Sequence, residues 1–268
     1  MIKLIVADMD GTLLNSDHEL SPKFEDTYNE LTQMGIRFTV ASGRPYYTLL
    51  PQFQHINHDI ILIGDNGAYI GTHPEPVVMN PFTQEEVAEI VAAGRKISDV
   101  HLIRCTPERP YTESDNPLFI QEAKKYYPNL KIVDNINELT EKTLKMAIYD
   151  AKTWQLNSGD AWDIFIDKFV IAKSSKVWVD LMPLGVNKGA AIKYLQNKLG
   201  ISKEETMAFG DFHNDIEMLQ TAFHSYAMEN AHEDVKNVAR FQAPSNNDDG
   251  VIKVIENVVL NGRLNRLA

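Results

Sequence analysis

Residues 4–12, Leu-Ile-Val-Ala-Asp-Met-Asp-Gly-Thr, place two carboxylates directly after an apolar run. The run from Leu4 to Ala7 is apolar at every position, which predicts a strand buried on both faces of a parallel sheet. Asp8 and Asp10 stand where this strand ends, and an uncompensated charge buried there is costly. Hard oxygen ligands on a short loop suit Mg²⁺, and open parallel sheets bind ligands at the carboxyl ends of their strands. The stretch therefore predicts a metal site at the edge of an α/β sheet.

The composition is that of an ordinary globular protein with room for two domains. The chain has 268 residues, of which 44% are hydrophobic and 24% charged, and its formal net charge is −11. This charge argues against a nucleic-acid or anionic-membrane partner, and no segment approaches the roughly 20 apolar residues of a membrane span. Cys105 is the only cysteine and lies in an apolar stretch, which favours a buried thiol in a reducing compartment. We expect a cytoplasmic monomer or weak homodimer.

Strands and helices alternate over the first 80 residues and again after Pro183. The periodicity predicts strands over 4–7, 37–41, 60–63, 206–209 and 225–228. It predicts helices over 22–34, with Ser21 as the N-cap, from about 45, over 188–199, after 215 and over 250–260. Such alternation is typical of right-handed β-α-β units on a parallel sheet. Residues 1–82 and 184–268 are thus predicted to form one doubly wound, Rossmann-like α/β core.

The rhythm changes between residues 83 and 183. This part predicts helices over 83–97 and 118–127, strands over 101–105, 131–133 and 144–149, and a hairpin of 169–172 with 176–181. The mixture lacks the strand–helix alternation of the flanking segments. It predicts an α+β domain inserted into the core.

Further polar groups stand where strands of the predicted core end or its helices begin. Ser42 follows the second strand, Lys188 begins the helix after the insertion, and Asp211 and Asp215 follow the strand that ends at Phe209. A lysine at a helix start is unfavourable for the helix dipole, which favours a functional role for it. Carboxylates, a hydroxyl, an amine and glycine-rich turns are the parts of a phosphoryl-transfer site.

In this order and spacing, four segments resemble the motifs of the haloacid dehalogenase superfamily of phosphotransferases. They are Asp8-x-Asp10-Gly-Thr, Ser42-Gly-Arg44, Lys188 and Gly-Asp211-x-x-Asn214-Asp215. The insertion, together with Asn66-Gly67-Ala68, Gly185-Val186-Asn187-Lys188-Gly189 and Asn230-Ala231, is similar to the Cof-type subfamily, which carries a large α/β cap of type C2B. In the cap the resemblance rests on size and position and not on a motif.

The resemblance implies catalysis through an aspartyl-phosphate with Mg²⁺ as the cofactor. Asp8 would attack the substrate phosphorus, and Asp10 would act as general acid and then as general base. Lys188 would pair with Asp8. Asp8, Asp211 and the backbone carbonyl of Asp10 would hold the metal, with Asp215 as an indirect ligand or a support. Taken alone, either of the first two aspartates could instead be a turn residue.

The resemblance also implies a phosphate-binding set beside these groups. Backbone N–H groups of Gly11 and Gly43 would form a small anion nest. Ser42 and Asn214 would donate hydrogen bonds to the phosphate, and Lys188 would pair with it. Ser42 as an ordinary turn or capping serine stays open.

Three residues depart from the family pattern or invite a second interpretation. Phe212 stands in motif four where relatives more often carry a small or polar residue, and it either narrows the site mouth or packs under the loop. Asp180 stands where the family commonly has Glu. His213 invites assignment as a metal ligand, but Mg²⁺ prefers oxygen, and a lone histidine on a loop more often faces solvent.

A large cap implies a small phosphorylated metabolite as substrate, such as a hexose or pentose phosphate, with pyridoxal phosphate or a flavin nucleotide open. Polar candidates for its contacts in the insertion are Arg104, Arg109, Tyr111 and Asp115. For each of them alone, plain surface solvation is the better interpretation. A phosphomutase is a second hypothesis for the function. A receiver-like phosphoaspartate signalling module is a third, although receivers are single small domains.

Overall fold

The computed structural model describes residues 1–54, 56, 60–72, 75–154, 156–173 and 176–262, without the side chain of Lys173. The chain forms two compact units, one of Met1–Val77 with Asn187–Ala268 and one of Val78–Val186. We call them the core unit and the inserted unit. The inserted unit contains the predicted insertion, residues 83–183, together with residues 78–82 and 184–186, which the prediction assigned to the core. Residues 263–268 of the predicted core lie outside the described residues.

The strands of both units are given first, in chain order. They are β1 (Leu4–Asp8), β2 (Arg37–Ala41), β3 (Ile61–Gly64), β4 (Tyr69–Gly71), β5 (Val77–Val78), β6 (Val100–Cys105), β7 (Pro110–Thr112), β8 (Lys131–Ile132), β9 (Lys145–Asp150), β10 (Phe169–Lys173), β11 (Trp178–Pro183), β12 (Thr206–Gly210), β13 (His224–Met228) and β14 (Phe241–Ala243).

The α-helices are α1 (Phe24–Gln33), α2 (Tyr46–Phe53), α3 (Gln84–Gly94), α4 (Pro117–Ala123), α5 (Lys188–Leu199), α6 (Ile216–Thr221), α7 (Glu233–Val238) and α8 (Gly250–Ile255). A π-helical turn, Glu256–Leu260, continues α8. Among the helices of the described residues, none is long and apolar enough to cross a bilayer.

The core unit is built on one sheet with the strand order β14-β13-β12-β1-β2-β3-β4-β5. Strands β14 through β3 pair in parallel, whereas β4 runs antiparallel to β3. The chain builds outward from β1 to β2 and β3, and after the insertion it builds in the other direction through β12, β13 and β14. The order of winding therefore reverses between β1 and β12, which is where such sheets bind ligands. The predicted doubly wound α/β fold is confirmed.

The apolar pattern positions β1 and α1 as predicted, apart from the start of the helix. Every residue of β1 is buried, as its unbroken apolar pattern predicts. Helix α1 begins at Phe24 and not next to Ser21, because the Ser21 hydroxyl accepts its hydrogen bond from the backbone N–H of Lys23 (3.3 Å) before the first helical turn. Gly35, with φ +72°, lies just beyond the end of this helix.

The inserted unit has a second sheet, with the order β10-β11-β9-β6-β7-β8. Its strands pair in an antiparallel manner except for β7 and β8, which run in parallel. The predicted hairpin of β10 with β11 is confirmed. Apolar clusters form around Trp162 and Phe165 on one side and around Phe119 and Tyr127 on the other. The unit is therefore an α+β layer structure with its own core.

Candidate active site

The loop after β1 brings the first and fourth motifs into contact. Asp8 is the last residue of β1 and is almost fully buried. Gly11 has φ +78°, and a Cβ at this position would lie 2.9 Å from the Asp211 carboxyl carbon. Only glycine therefore permits the loop to pass so close to Asp211. Next in the chain, the Thr12 hydroxyl donates a hydrogen bond to Asp211 Oδ1 (2.9 Å).

Lys188, the first residue of α5, connects Asp8 with Asp215. Its side chain is fully buried, and Nζ donates to Asp8 Oδ1 and to Asp215 Oδ1, the latter at 2.7 Å. Burial by itself lowers the pKa of Lys188, but the carboxylates of Asp8 and Asp215 outweigh it and raise the pKa above its ordinary value. The lysine is therefore a fixed cation between two carboxylates.

Asp215 holds the loop after β12 by its second oxygen. Oδ2 accepts hydrogen bonds from the backbone N–H groups of Asp211 (3.0 Å) and Phe212 (3.2 Å). Because Oδ1 accepts from Lys188, both oxygens of this buried side chain are engaged. The arrangement fits a supporting role for Asp215, which is one of the two roles expected for it.

Asp8, Asp211 and Asp215 form what we call the carboxylate cluster. Each offers one ligand oxygen, and these atoms lie within 4.8 Å of one another. Burial, with the nearby charge of Asp215, raises the pKa of Asp211 to about 6 against the hydrogen bond from Thr12. Burial and the charge of Asp215 also raise the pKa of Asp8. Three carboxylates with one ammonium group leave excess negative charge, so these residues fit a divalent cation held by oxygen.

Asp10 does not turn toward this cluster. Its carboxylate forms a two-pronged ion pair with Arg44, in which Nη2 and Nε donate, the latter at 2.8 Å. His18 Nδ1 lies 3.3 Å from Oδ1 of the same carboxylate. The contact joins motif one to motif two. The sequence predicted no separate role for Arg44, although its positive charge in motif two is opposite to that of Asp10 in motif one.

Asn66 organises the second motif. The sequence predicted no site role for this residue, which was part of a segment similar to the Cof-type subfamily. Asn66, at φ +54°, donates from its backbone N–H to the Ser42 carbonyl (3.0 Å) and accepts on Oδ1 from the Asn214 amide (3.0 Å). A Cβ on Gly43 would lie 3.1 Å from that same Oδ1, which is tight. The Ser42 hydroxyl accepts from the Arg44 backbone N–H (3.1 Å), as a turn serine does.

The polar candidates of the inserted unit divide into two kinds. Arg109 and Asp115 are exposed, as expected. For Arg104 and Tyr111 the expectation of surface solvation is wrong, because both are buried. The Arg104 guanidinium donates to the carbonyls of Ile136 (2.7 Å) and Glu141 (2.9 Å), while the Tyr111 hydroxyl donates to the Glu141 carboxylate (3.0 Å).

The remaining residues singled out in the sequence take up plain positions. Cys105 is buried, as predicted, and Asp180 forms an ion pair with Lys145 (3.3 Å). Phe212 is 57% exposed as a residue, so the interpretation that it packs under the loop is wrong. His213, with 47% of its side chain exposed, faces solvent as expected. Its ring also contacts the carboxylate of Asp234.

Comparison with known proteins agrees with this geometry. A family model for haloacid dehalogenase-like hydrolases matches residues 5–255. The chain is 33% identical over 262 residues to 5-amino-6-(5-phospho-D-ribitylamino)uracil phosphatase YbjI of Escherichia coli (strain K12), with 96% of each chain covered. It is 27% identical over 260 residues to the phosphatase of the same description, YcsE, of Bacillus subtilis (strain 168), covering 97% of this chain and 96% of that one.

A solved structure leads to the same family. The crystal structure of a haloacid dehalogenase-like hydrolase from Bacteroides thetaiotaomicron superposes with a TM-score of 0.85 at 27% identity, covering 96% of this chain and 100% of that one. With 96% of the chain covered, the match extends over both units. The resemblance drawn from the motifs is thereby confirmed, and the chain belongs to the haloacid dehalogenase-like hydrolases, as one of their phosphatases.

Proposed function

We propose that this chain is a Mg²⁺-dependent phosphatase that hydrolyses small phosphorylated metabolites through an aspartyl-phosphate on Asp8. The observation that best supports this proposal is the position of the Asp8 carboxylate. It lies buried at the end of β1, beside Asp211 and Asp215, with one oxygen bound by Lys188. A nucleophile that must meet an anionic phosphate needs this compensation, because otherwise charge repulsion opposes the approach.

Each residue of the site has a separable task in the proposed reaction. Asp8 displaces the leaving alkoxide from phosphorus, and Lys188 keeps its positive charge beside both partners. Asp10 protonates the leaving oxygen and later takes a proton from the water that cleaves the acyl-phosphate. Its side chain is 38% exposed, so it can exchange Arg44 for the substrate at small cost.

The metal would be held by the carboxylates of Asp8 and Asp211, with the Asp10 carbonyl as a further expected ligand. When bound, Mg²⁺ neutralises phosphate charge and orients the phosphoryl group. Asp215 would keep Asp211 in place through the backbone hydrogen bonds already described. For the phosphate itself we propose the Ser42 hydroxyl, the Asn214 amide and the backbone N–H groups of Gly11 and Gly43.

Phosphorylated sugars or sugar alcohols are the substrate class that we propose. Two relatives that match over nearly the whole chain are named for a phosphorylated ribityl compound, which supports a sugar-alcohol phosphate ester. Phosphomutase activity remains the second hypothesis, and it predicts an isomerised sugar phosphate in place of free phosphate. Family membership and the inserted unit argue against a receiver-like module. The cytoplasmic location and the monomeric or weakly dimeric state stay predictions.

The test is hydrolysis of an aryl phosphate with Mg²⁺, before and after chelation with EDTA, followed by a screen of phosphorylated metabolites for phosphate release. The Asp8→Asn variant should lose at least about 10³-fold in kcat, while its far-UV circular dichroism stays that of the wild type. Appreciable turnover in this variant would show that Asp8 is not the nucleophile. Undiminished turnover in EDTA would refute metal dependence.

A further inference from the structure

Two imidazoles and one carboxylate meet outside the carboxylate cluster. His213, His232 and Asp234, here called the histidine cluster, each offer a ligand atom, and these atoms lie within 4.8 Å of one another. His213 Nε2 is 3.0 Å from Asp234 Oδ2, and His232 Nδ1 is 3.4 Å from the same oxygen. The two histidine rings approach to 4.3 Å between centroids. The histidine cluster shares no side chain with the carboxylate cluster.

The donor set and its spacing suit a different ion from Mg²⁺. Imidazole nitrogen with one carboxylate oxygen is a ligand set for borderline ions such as Zn²⁺. Ligands about 2.0–2.1 Å from a tetrahedral metal lie about 3.3–3.4 Å from one another, close to the two distances to Asp234 Oδ2. The side chains are 47%, 46% and 61% exposed, so water can take the fourth position.

The hydrogen bonding of His232 leaves an unfavourable contact that a cation would relieve. The backbone N–H of Asp234 donates to His232 Nδ1 (3.2 Å), so in this arrangement Nδ1 carries a lone pair and no proton. That nitrogen and the Asp234 carboxylate oxygen then face each other as two electron-rich atoms 3.4 Å apart. A metal ion between them would take over the lone pair that now accepts from the Asp234 N–H and would relieve this contact.

We propose that His213, His232 and Asp234 bind a transition-metal ion of the Zn²⁺ class, at a site separate from the Mg²⁺ of the proposed reaction. This ion joins the loop after β12 to the start of α7. The backbone N–H of His232 donates to the Asp211 carbonyl (2.9 Å), so the second metal adds a side-chain link to an existing main-chain one. The proposal stands independently of the proposed substrate class.

The experiment is a calorimetric titration of the full chain with Zn²⁺ in the presence of saturating Mg²⁺. We compare wild type with His213→Gln, His232→Gln and Asp234→Asn. The matched control is Glu233→Gln, which removes the same charge from a neighbouring exposed position that offers no ligand to the cluster. All four positions are exposed, so the variants are expected to fold. Imidazole NMR signals of the labelled protein provide a readout besides heat.

One Zn²⁺ equivalent should bind to wild type and to the control, and its affinity should fall at least about 10-fold in each of the three cluster variants. Zinc should also shift the imidazole signals of His213 and His232 and leave that of His101 unchanged. Equal zinc affinity in the Glu233→Gln and Asp234→Asn variants would overturn the proposal. Asp234 would then contribute no more to zinc binding than the charge of a neighbouring residue does. Absence of zinc binding to wild type would overturn it as well.

Discussion

Replacing Lys188 by Met tests the electrostatic core of the site most directly. Methionine has a similar length and volume, so the change removes the ammonium group without opening a large cavity. What remains is the pair Asp8 and Asp215, both buried and no longer compensated. Removing one partner of a buried ion pair costs about 3–5 kcal/mol. We expect a loss of that size in the stability of the metal-free core unit.

The assay is urea unfolding in EDTA, and the sequence offers a way to follow the two units apart. All three tryptophans lie in the inserted unit, so their fluorescence reports on it, whereas far-UV circular dichroism reports on both units. The control is Lys193→Met, an exposed lysine on the same helix, which should change stability by less than about 0.5 kcal/mol. In an Asp8→Asn background the cost of Lys188→Met should fall, because one uncompensated charge is gone.

A loss below about 1 kcal/mol for Lys188→Met, equal to that of the control, would refute this reasoning. It would mean that the charges of the two carboxylates are compensated without the lysine. The hydrogen bonds that link Lys188 to Asp215 and Asp215 to the backbone would then not be what holds the loop after β12.

Two further predictions concern Asp211 and its neighbour Gly11. Because the pKa of this carboxyl is raised to about 6 in the metal-free protein, a proton competes with the metal below that value, and it is the folded, metal-free state that gains the proton as the pH falls. Apparent Mg²⁺ affinity measured by thermal shift should be flat above pH 6 and fall about tenfold per pH unit below it; an affinity independent of pH from 7.5 to 5 would contradict the assignment. Gly11→Ala should abolish Mg²⁺ binding and turnover, since its Cβ would overlap the Asp211 carboxylate. Gly200→Ala has a similar φ of +65° and open space around the added methyl, so it should lose only about 1 kcal/mol of stability and keep activity; equal losses of activity in both variants would remove the steric argument.

The longer strands and helices of the core unit were predictable because their apolar periodicity is strong. Strands β4 and β14 and helix α7 were missed, since they are only three, three and six residues long. The limits of α5 agree with the prediction at both ends, Lys188 and Leu199, since Asn187 caps its start and Gly200 ends it in the left-handed region. Strand β7 was missed because it is three residues long, begins with a proline and sits in a polar stretch. Its place in the sheet comes from pairing with β6 and β8, which local periodicity does not encode.

The candidate site was predictable in its charges and not in its side-chain directions. The motifs placed Asp8, Lys188 and Asp211 at strand ends and at a helix start, and parallel strand ends meet at one sheet edge. No pattern along the chain states that Asp10 turns to Arg44 or that Arg104 is buried against main-chain carbonyls. Those contacts depend on loop conformation and on partners that are 32 to 37 residues away.

The position of Lys188 explains how the fold keeps a reactive carboxylate buried while the loop beside it stays ordered. A cation at the first residue of α5 opposes the helix dipole, so it is stable there only because two carboxylates face it. One of them, Asp8, is the proposed nucleophile, and the other, Asp215, passes the constraint on through hydrogen bonds to the backbone of Asp211. Charge compensation and loop geometry are thus the same set of contacts. A site built in this way is organised before substrate arrives, which is the condition under which electrostatic stabilisation accelerates phosphoryl transfer.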